Sequence, residues 1–270
     1  MRRSPFSYVA AMLVAVGLAG TARRALNERV AAQPTGEGAV AAECAVESGC
    51  EPGMRVDATV GAPVVTLEER DACRDSAYLC RGLDWTDGMA RVFRWKEDTR
   101  LIRIIVPLPE GDPTRAREAQ QAAMRGVRAW DRHPFPILVE DKPRPGSPAD
   151  ITVVWWAAPP GNLLGQTSTR WIQEGGRATL EVVGFRLALT SPINGRELPA
   201  RQIELTAAHE MGHGLGLPHS DEQRDVMYPS NTALTLSARD YKAMQALYRL
   251  PNGVGIWKQG ATNHVTAPKR

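Results

Sequence analysis

The chain has 270 residues, 43% of them hydrophobic, enough to bury one substantial core and to suggest a single domain with extra segments at its ends. Lys+Arg 33 against Asp+Glu 30 leaves a formal net charge of +3 without a long block of one sign, so composition points to no nucleic-acid or other polyanionic partner.

Arg2 and Arg3 precede an apolar run over residues 6–20 broken only by Ser7, and small residues follow through Ala22. This is the layout of a secretory signal, and the run is short for a membrane span. Arg23 and Arg24 crowd the cleavage zone, so residues 1–24 read as a signal peptide or an uncleaved signal anchor. The rest of the chain is expected to be exported, secreted or periplasmic, with a membrane as partner only if the anchor stays. Cys44, Cys50, Cys73 and Cys80 all lie in the first third. In an oxidising compartment they read as two disulfides, most simply Cys44 with Cys50 and Cys73 with Cys80, although four cysteines allow three pairings. Residues 31–63 are rich in Ala, Gly, Glu and Pro without periodicity, and residues 25–90 are assigned to a pro-region or linker.

Regular patterning begins near residue 91. Residues 101–106 are rich in β-branched side chains and end at Pro107, which predicts a strand. Asp112-Pro113 supplies an N-cap and a first-turn proline, after which Ala116, Ala119, Ala123, Val127 and Trp130 recur at helical spacing. Strands are predicted at 135–140, 151–156, 164–172 and 178–189, the last two joined by Gly175-Gly176. A second helix is predicted over 199–216. A third, over 237–250, opens on the capping pattern of Ser237 and Asp240 and stops at Pro251. The order implies an α+β fold, a mixed sheet with the first helix across it, spanning residues 91–250 and leaving 251–270 as a tail.

The stretch that carries chemistry is His209-Glu210-Met211-Gly212-His213-Gly214-Leu215-Gly216-Leu217-Pro218-His219. On a helix, His209 and His213 project from one face a turn apart, as two neighbouring ligands of a tetrahedral zinc require. Gly216 can end that helix in a left-handed conformation and return the chain so that His219 becomes the third ligand. Three imidazoles with an open fourth position describe a catalytic zinc centre, and Glu210, rotated away from the ligands, suits a general base acting on water. At ordinary residue frequencies such a pattern arises by chance in roughly one in 10⁵ chains of this length.

This stretch resembles the HExxHxxGxxH signature of the metzincin metallopeptidases, and Ser220 together with Val226-Met227-Tyr228-Pro229 is similar to the matrixins within that group. The resemblance extends more loosely over residues 92–250. It implies a mostly parallel twisted sheet with two long helices plus a C-terminal helix, Met227 as an apolar floor beneath one zinc ion, and endopeptidase activity on protein or peptide substrates. It also implies that substrate lies antiparallel to an edge strand carrying Gln166, Thr167 and Ser168. Two departures stand out. Only His133 and His264 remain outside the motif, so a second, structural zinc is not indicated, and nothing in the sequence calls for calcium. Residues 50–53 do not match the pro-region motif in which a cysteine caps the zinc. Two other classes share these residues: a zinc hydrolase acting on a non-protein amide or ester, and a binding module with little activity. Glu210 speaks against the second. A monomer is expected.

Overall fold

The computed structural model describes residues 40–45, 65–146, 148–174, 177–230 and 232–258; the export signal, the Cys44 to Cys50 pairing, the Gly175-Gly176 turn and His264 fall outside them. Strand β5 (Ile102–Ile105) has its isoleucines buried in the core, and β6 (Ile137–Glu140) and β7 (Ile151–Trp156) run parallel to it on either side. Parallel neighbours need a crossover, and α3 (Pro113–Arg128) supplies the one between β5 and β6. Beyond β7 lies β9 (Arg177–Ala188), parallel to it, and then β8 (Leu163–Glu174), which returns antiparallel. A further strand, β1 (Val40–Ala45), pairs antiparallel with β8, giving the order β1-β8-β9-β7-β5-β6. The mixed, mostly parallel sheet of the α+β reading is therefore present.

Two of the three long helices start where their caps predict. Asp112 accepts from the backbone N–H groups of Thr114 and Arg115, both at 3.0 Å, with Pro113 at the first helical position of α3. Helix α5 (Ala238–Arg249) opens on a reciprocal box in which the Ser237 hydroxyl and the Asp240 carboxylate each accept from the other's backbone N–H. Between them in sequence, α4 (Ala200–Gly214) packs along α3. Trp130, fully buried just past the end of α3, donates from its indole to the Ala208 carbonyl at 2.8 Å and fixes α4 beside His209.

The domain is wider than residues 91–250. Strands β2 (Thr66–Glu68), β3 (Trp85–Thr86), β4 (Met89–Arg91) and β10 (Gly255–Trp257) form a second sheet in the order β2-β10-β4-β3, so residues assigned to linker and tail close on each other. Two short helical turns, α1 (Glu69–Ala72) and α2 (Leu79–Gly82), lie between β2 and β3, joined by a Cys73–Cys80 disulfide. Tyr78, Leu79, Leu83 and Ala90 share one core with Leu247, Leu250, Val254 and Ile256. Strands of two or three residues are too short to show alternation, and their partners sit at the far end of the chain, so the sequence pattern leaves them unread. Closing so short a loop is worth about 2–3 kcal/mol in the chain-entropy account.

His133 sits in an aromatic pocket, edge-on to Phe135 and Tyr248 with ring centroids 3.9 and 4.7 Å away, and its Nε2 is buried with no hydrogen-bond partner. Burial pushes its pKa from the ordinary 6.5 down to about 4, against the opposing hydrogen bond to the Phe135 carbonyl. The unfolded chain therefore takes up this proton first as pH falls, and the stability present above pH 6.5 is lost progressively down to about 4. Thermal melts of His133→Phe and wild type across that range should diverge, the wild type losing on the order of 2–3 kcal/mol more. Parallel curves would show that another group carries the acid sensitivity.

Candidate metal centre

His209 and His213 lie one turn apart on α4, both buried. The helix closes at Leu215, and Gly216 follows with φ +98°, a left-handed conformation in which an added Cβ would also meet the Phe93 carbonyl oxygen at 2.7 Å. The chain turns there, and half-buried His219 brings its Nε2 to 3.0 Å from that of His213, which is itself 3.1 Å from that of His209. The three ligand atoms all lie within 4.8 Å of one another.

The other ring nitrogens reveal the tautomers. His209 Nδ1 is 2.6 Å from the Val226 carbonyl and His213 Nδ1 is 2.8 Å from the Leu217 carbonyl. A carbonyl only accepts, so each Nδ1 carries the proton and each Nε2 presents a lone pair. Burial lowers the pKa of His209 to about 4, and it pushes His213 well below the usual range, helped by the neighbouring His219 and His209. Both rings are thus neutral near pH 7. Lone pairs at this separation repel unless a cation lies among them. Tetrahedral zinc with Zn–N of about 2.0–2.1 Å sets its nitrogens roughly 3.3 Å apart, so the cluster fits that ion.

Met227, fully buried, packs under this face of α4 so closely that a Cβ on Gly212 would fall 2.1 Å from its sulfur. Glu210 is also fully buried, and its Oε2 accepts from the Thr167 hydroxyl at 2.7 Å. The strand that carries Thr167 is itself paired on its outer side. Over residues 163–169 β8 is covered by β1, with Glu43 opposite Gln166, Ala42 opposite Thr167 and Ala41 opposite Ser168. Thr167 is buried toward Glu210, Gln166 is buried and accepts from Arg186 at 3.2 Å, and Ser168 is half-buried. A polar run reads as solvent-facing, but its hydroxyl and amide are satisfied inside the fold. Because residues 163–167 are buried on both faces, no alternation marks Thr167.

Residues 165–249 match the model of the matrixin peptidase family. A 52-residue stretch, 17% of this chain, is 44% identical to the macrophage metalloelastase of Rattus norvegicus. Another of 143 residues, 51% of the chain, is 27% identical to metalloendoproteinase 1-MMP of Arabidopsis thaliana. These matches span only 11% and 38% of the two relatives. With the sheet, the helix and the histidine cluster, they show that the chain carries a matrixin-like metzincin domain.

Replacing His209, His213 or His219 singly by Ala should lower bound zinc, read by atomic spectroscopy, from about one per chain toward none, since three ligands are the minimum for such a centre. Full zinc retention by His219→Ala would remove that residue from the ligand set.

Proposed function

We propose that the chain is an exported zinc-dependent endopeptidase in which His209, His213 and His219 hold the metal and Glu210 is the general base. The observation that carries this reading is the convergence of three imidazoles, two from α4 and one from the turn after it, beside a buried carboxylate on α4. A zinc ion held there supplies Lewis-acid polarisation of a carbonyl and makes a water acidic enough to lose its proton near neutral pH. Glu210 follows His209 in sequence and is turned about 100° around α4, so its carboxylate stands apart from the ligands. It takes the proton of the attacking water and passes it to the leaving amine. Thr167 holds the carboxylate in orientation by donating to Oε2.

The substrate in this reading is a protein or peptide strand laid antiparallel along β8 by backbone pairing, in the place that β1 takes in this chain. Residues 40–45 must then give way to it. An edge that accepts a strand favours a peptide over a small amide or ester. The presence of Glu210 with all three histidines favours an enzyme over a binding module. Export is supported by the Cys73–Cys80 disulfide, which belongs to an oxidising compartment. Among the described residues no helix is long and apolar enough to cross a membrane.

Glu210→Gln keeps the shape of the side chain and removes its basicity. Cleavage of casein or a quenched peptide library should fall by about 10² to 10⁴ while zinc stays near one per chain. Cleavage at the wild-type rate would place the base elsewhere, and loss of zinc would give Glu210 a structural role instead.

Thr167→Val replaces the hydroxyl with a methyl group, removing its bond to Oε2 together with a longer one to the Glu210 backbone carbonyl at 3.0 Å. Because a hydrogen bond to a charged group is worth roughly 1.5–3 kcal/mol, kcat should drop at least about tenfold, with KM and zinc content little changed. An unchanged kcat would take Thr167 out of the scheme.

A further inference from the structure

We propose that Tyr78 is a positioning residue for the metal centre, acting through Asp240 on the peptide that orients His209; the inference rests on reading the three histidines as the zinc ligands. Tyr78 lies between the two disulfide-bonded cysteines, well before the residues that match the matrixin model. It is fully buried, and its hydroxyl donates to Asp240 Oδ1 at 3.0 Å.

Asp240, also fully buried, does more than cap α5. Its Oδ2 accepts from Val226 N–H at 2.9 Å and Ser237 N–H at 2.8 Å, and its Oδ1 accepts a longer bond from Met227 N–H at 3.4 Å. The Val226 carbonyl is the acceptor for His209 Nδ1, and the Met227 carbonyl accepts from Ser220 N–H at 2.8 Å, directly after His219. One carboxylate therefore secures the Val226-Met227 turn on which both His209 and the His219 loop depend. Tyr78 is its side-chain donor, and the other donors named are backbone groups.

The same stapled segment touches the third ligand by a separate route. At the end of α2, Gly82 packs against Pro218-His219 so tightly that a Cβ would fall 2.5 Å from the His219 carbonyl oxygen. Arg81 pairs with Asp221 at 2.5 Å. Outer partners of metal ligands fix ring orientation, and losing one that bonds a ligand directly lowers metal affinity by about 10- to 100-fold. Tyr78 stands two hydrogen bonds further out, through Asp240 and Val226, so a smaller effect of about fivefold is expected.

The test is the zinc dissociation constant of the full chain, measured by competition with a chromogenic chelator, beside the melting temperature of each variant. Tyr78→Phe should weaken zinc about fivefold and Asp240→Asn more, and adding Tyr78→Phe to Asp240→Asn should change little further, because the two act in series. Ile256→Ala, a core truncation in the second sheet, is the comparison for general destabilisation and should lower the melting temperature while leaving zinc affinity unchanged. The Cys73→Ala, Cys80→Ala pair frees the segment without touching Tyr78 and should weaken zinc in the same direction; it decides the matter if Tyr78→Phe does not fold. Wild-type zinc affinity in Tyr78→Phe or in the cysteine pair, or a loss that merely tracks melting temperature as in Ile256→Ala, overturns the inference alone. A wild-type chain that binds no zinc overturns the site reading and the inference with it.

Discussion

Three imidazoles gathered with His213 Nε2 at 3.0 and 3.1 Å from the Nε2 atoms of His219 and His209 are the constraint around which the rest of the molecule is arranged. Without a cation the arrangement is repulsive, so each ring must be held from behind. Backbone carbonyls at Val226 and Leu217 hold two of them, and neither residue belongs to a regular element. The positions of those carbonyls are set in turn by Gly216, which turns the chain, and by Asp240, which anchors the Val226-Met227 segment beyond it. Helix α4 cannot rotate out of register because Trp130 clamps Ala208 and Met227 fills the space under Gly212. Local geometry supplies two ligands, and tertiary closure supplies their direction.

The segment from His219 to Met227 carries no helix or strand, and charge holds it in place of a backbone ladder. Asp225, almost completely buried, accepts from the Ser220 and Ser237 hydroxyls and from Arg239 at 2.9 Å. Arg239 also reaches Glu222 at 2.5 Å and pairs with Asp221. Asp221 and Glu222 look like plain surface charges in the sequence, yet they complete a fork around one guanidinium. Exposed pairs of this kind are individually worth little. The Asp225 contact is different on one side, because removing Arg239 leaves a buried carboxylate without its charge partner, at a cost of up to about 3–5 kcal/mol.

Much of this was legible in the sequence, and the reason is local. Asp112-Pro113, the box of Ser237 and Asp240, and Gly216 each act on neighbours within a few residues, so helix ends could be read directly. The histidine spacing is equally local, since helix periodicity alone puts His209 and His213 on one face. What escaped reading has the opposite character. The pairing of β2 with β10 joins the two ends of the domain, and Tyr78 meets Asp240 across most of its length. The bond from Thr167 to Glu210 is equally hidden, because a hydroxyl gives no sign in sequence of whether water or a buried carboxylate will satisfy it.

This division shapes how the domain works as a unit. The histidine motif, the turn around Met227 and helix α5 lie within residues 165–249, the part that matches the matrixin family. The groups that stiffen them come from outside it: Trp130 after α3, Tyr78 and Gly82 from the stapled segment, and Val254 and Ile256 completing the core beside Leu247. A fragment limited to the motif region would keep the ligands but lose the groups that aim them. Aim matters more than presence here, because misdirected imidazoles bind a metal weakly however close they stand in sequence. The flanking segments are therefore part of the metal centre in a physical sense, although their residues never approach the lone pairs that would hold the ion.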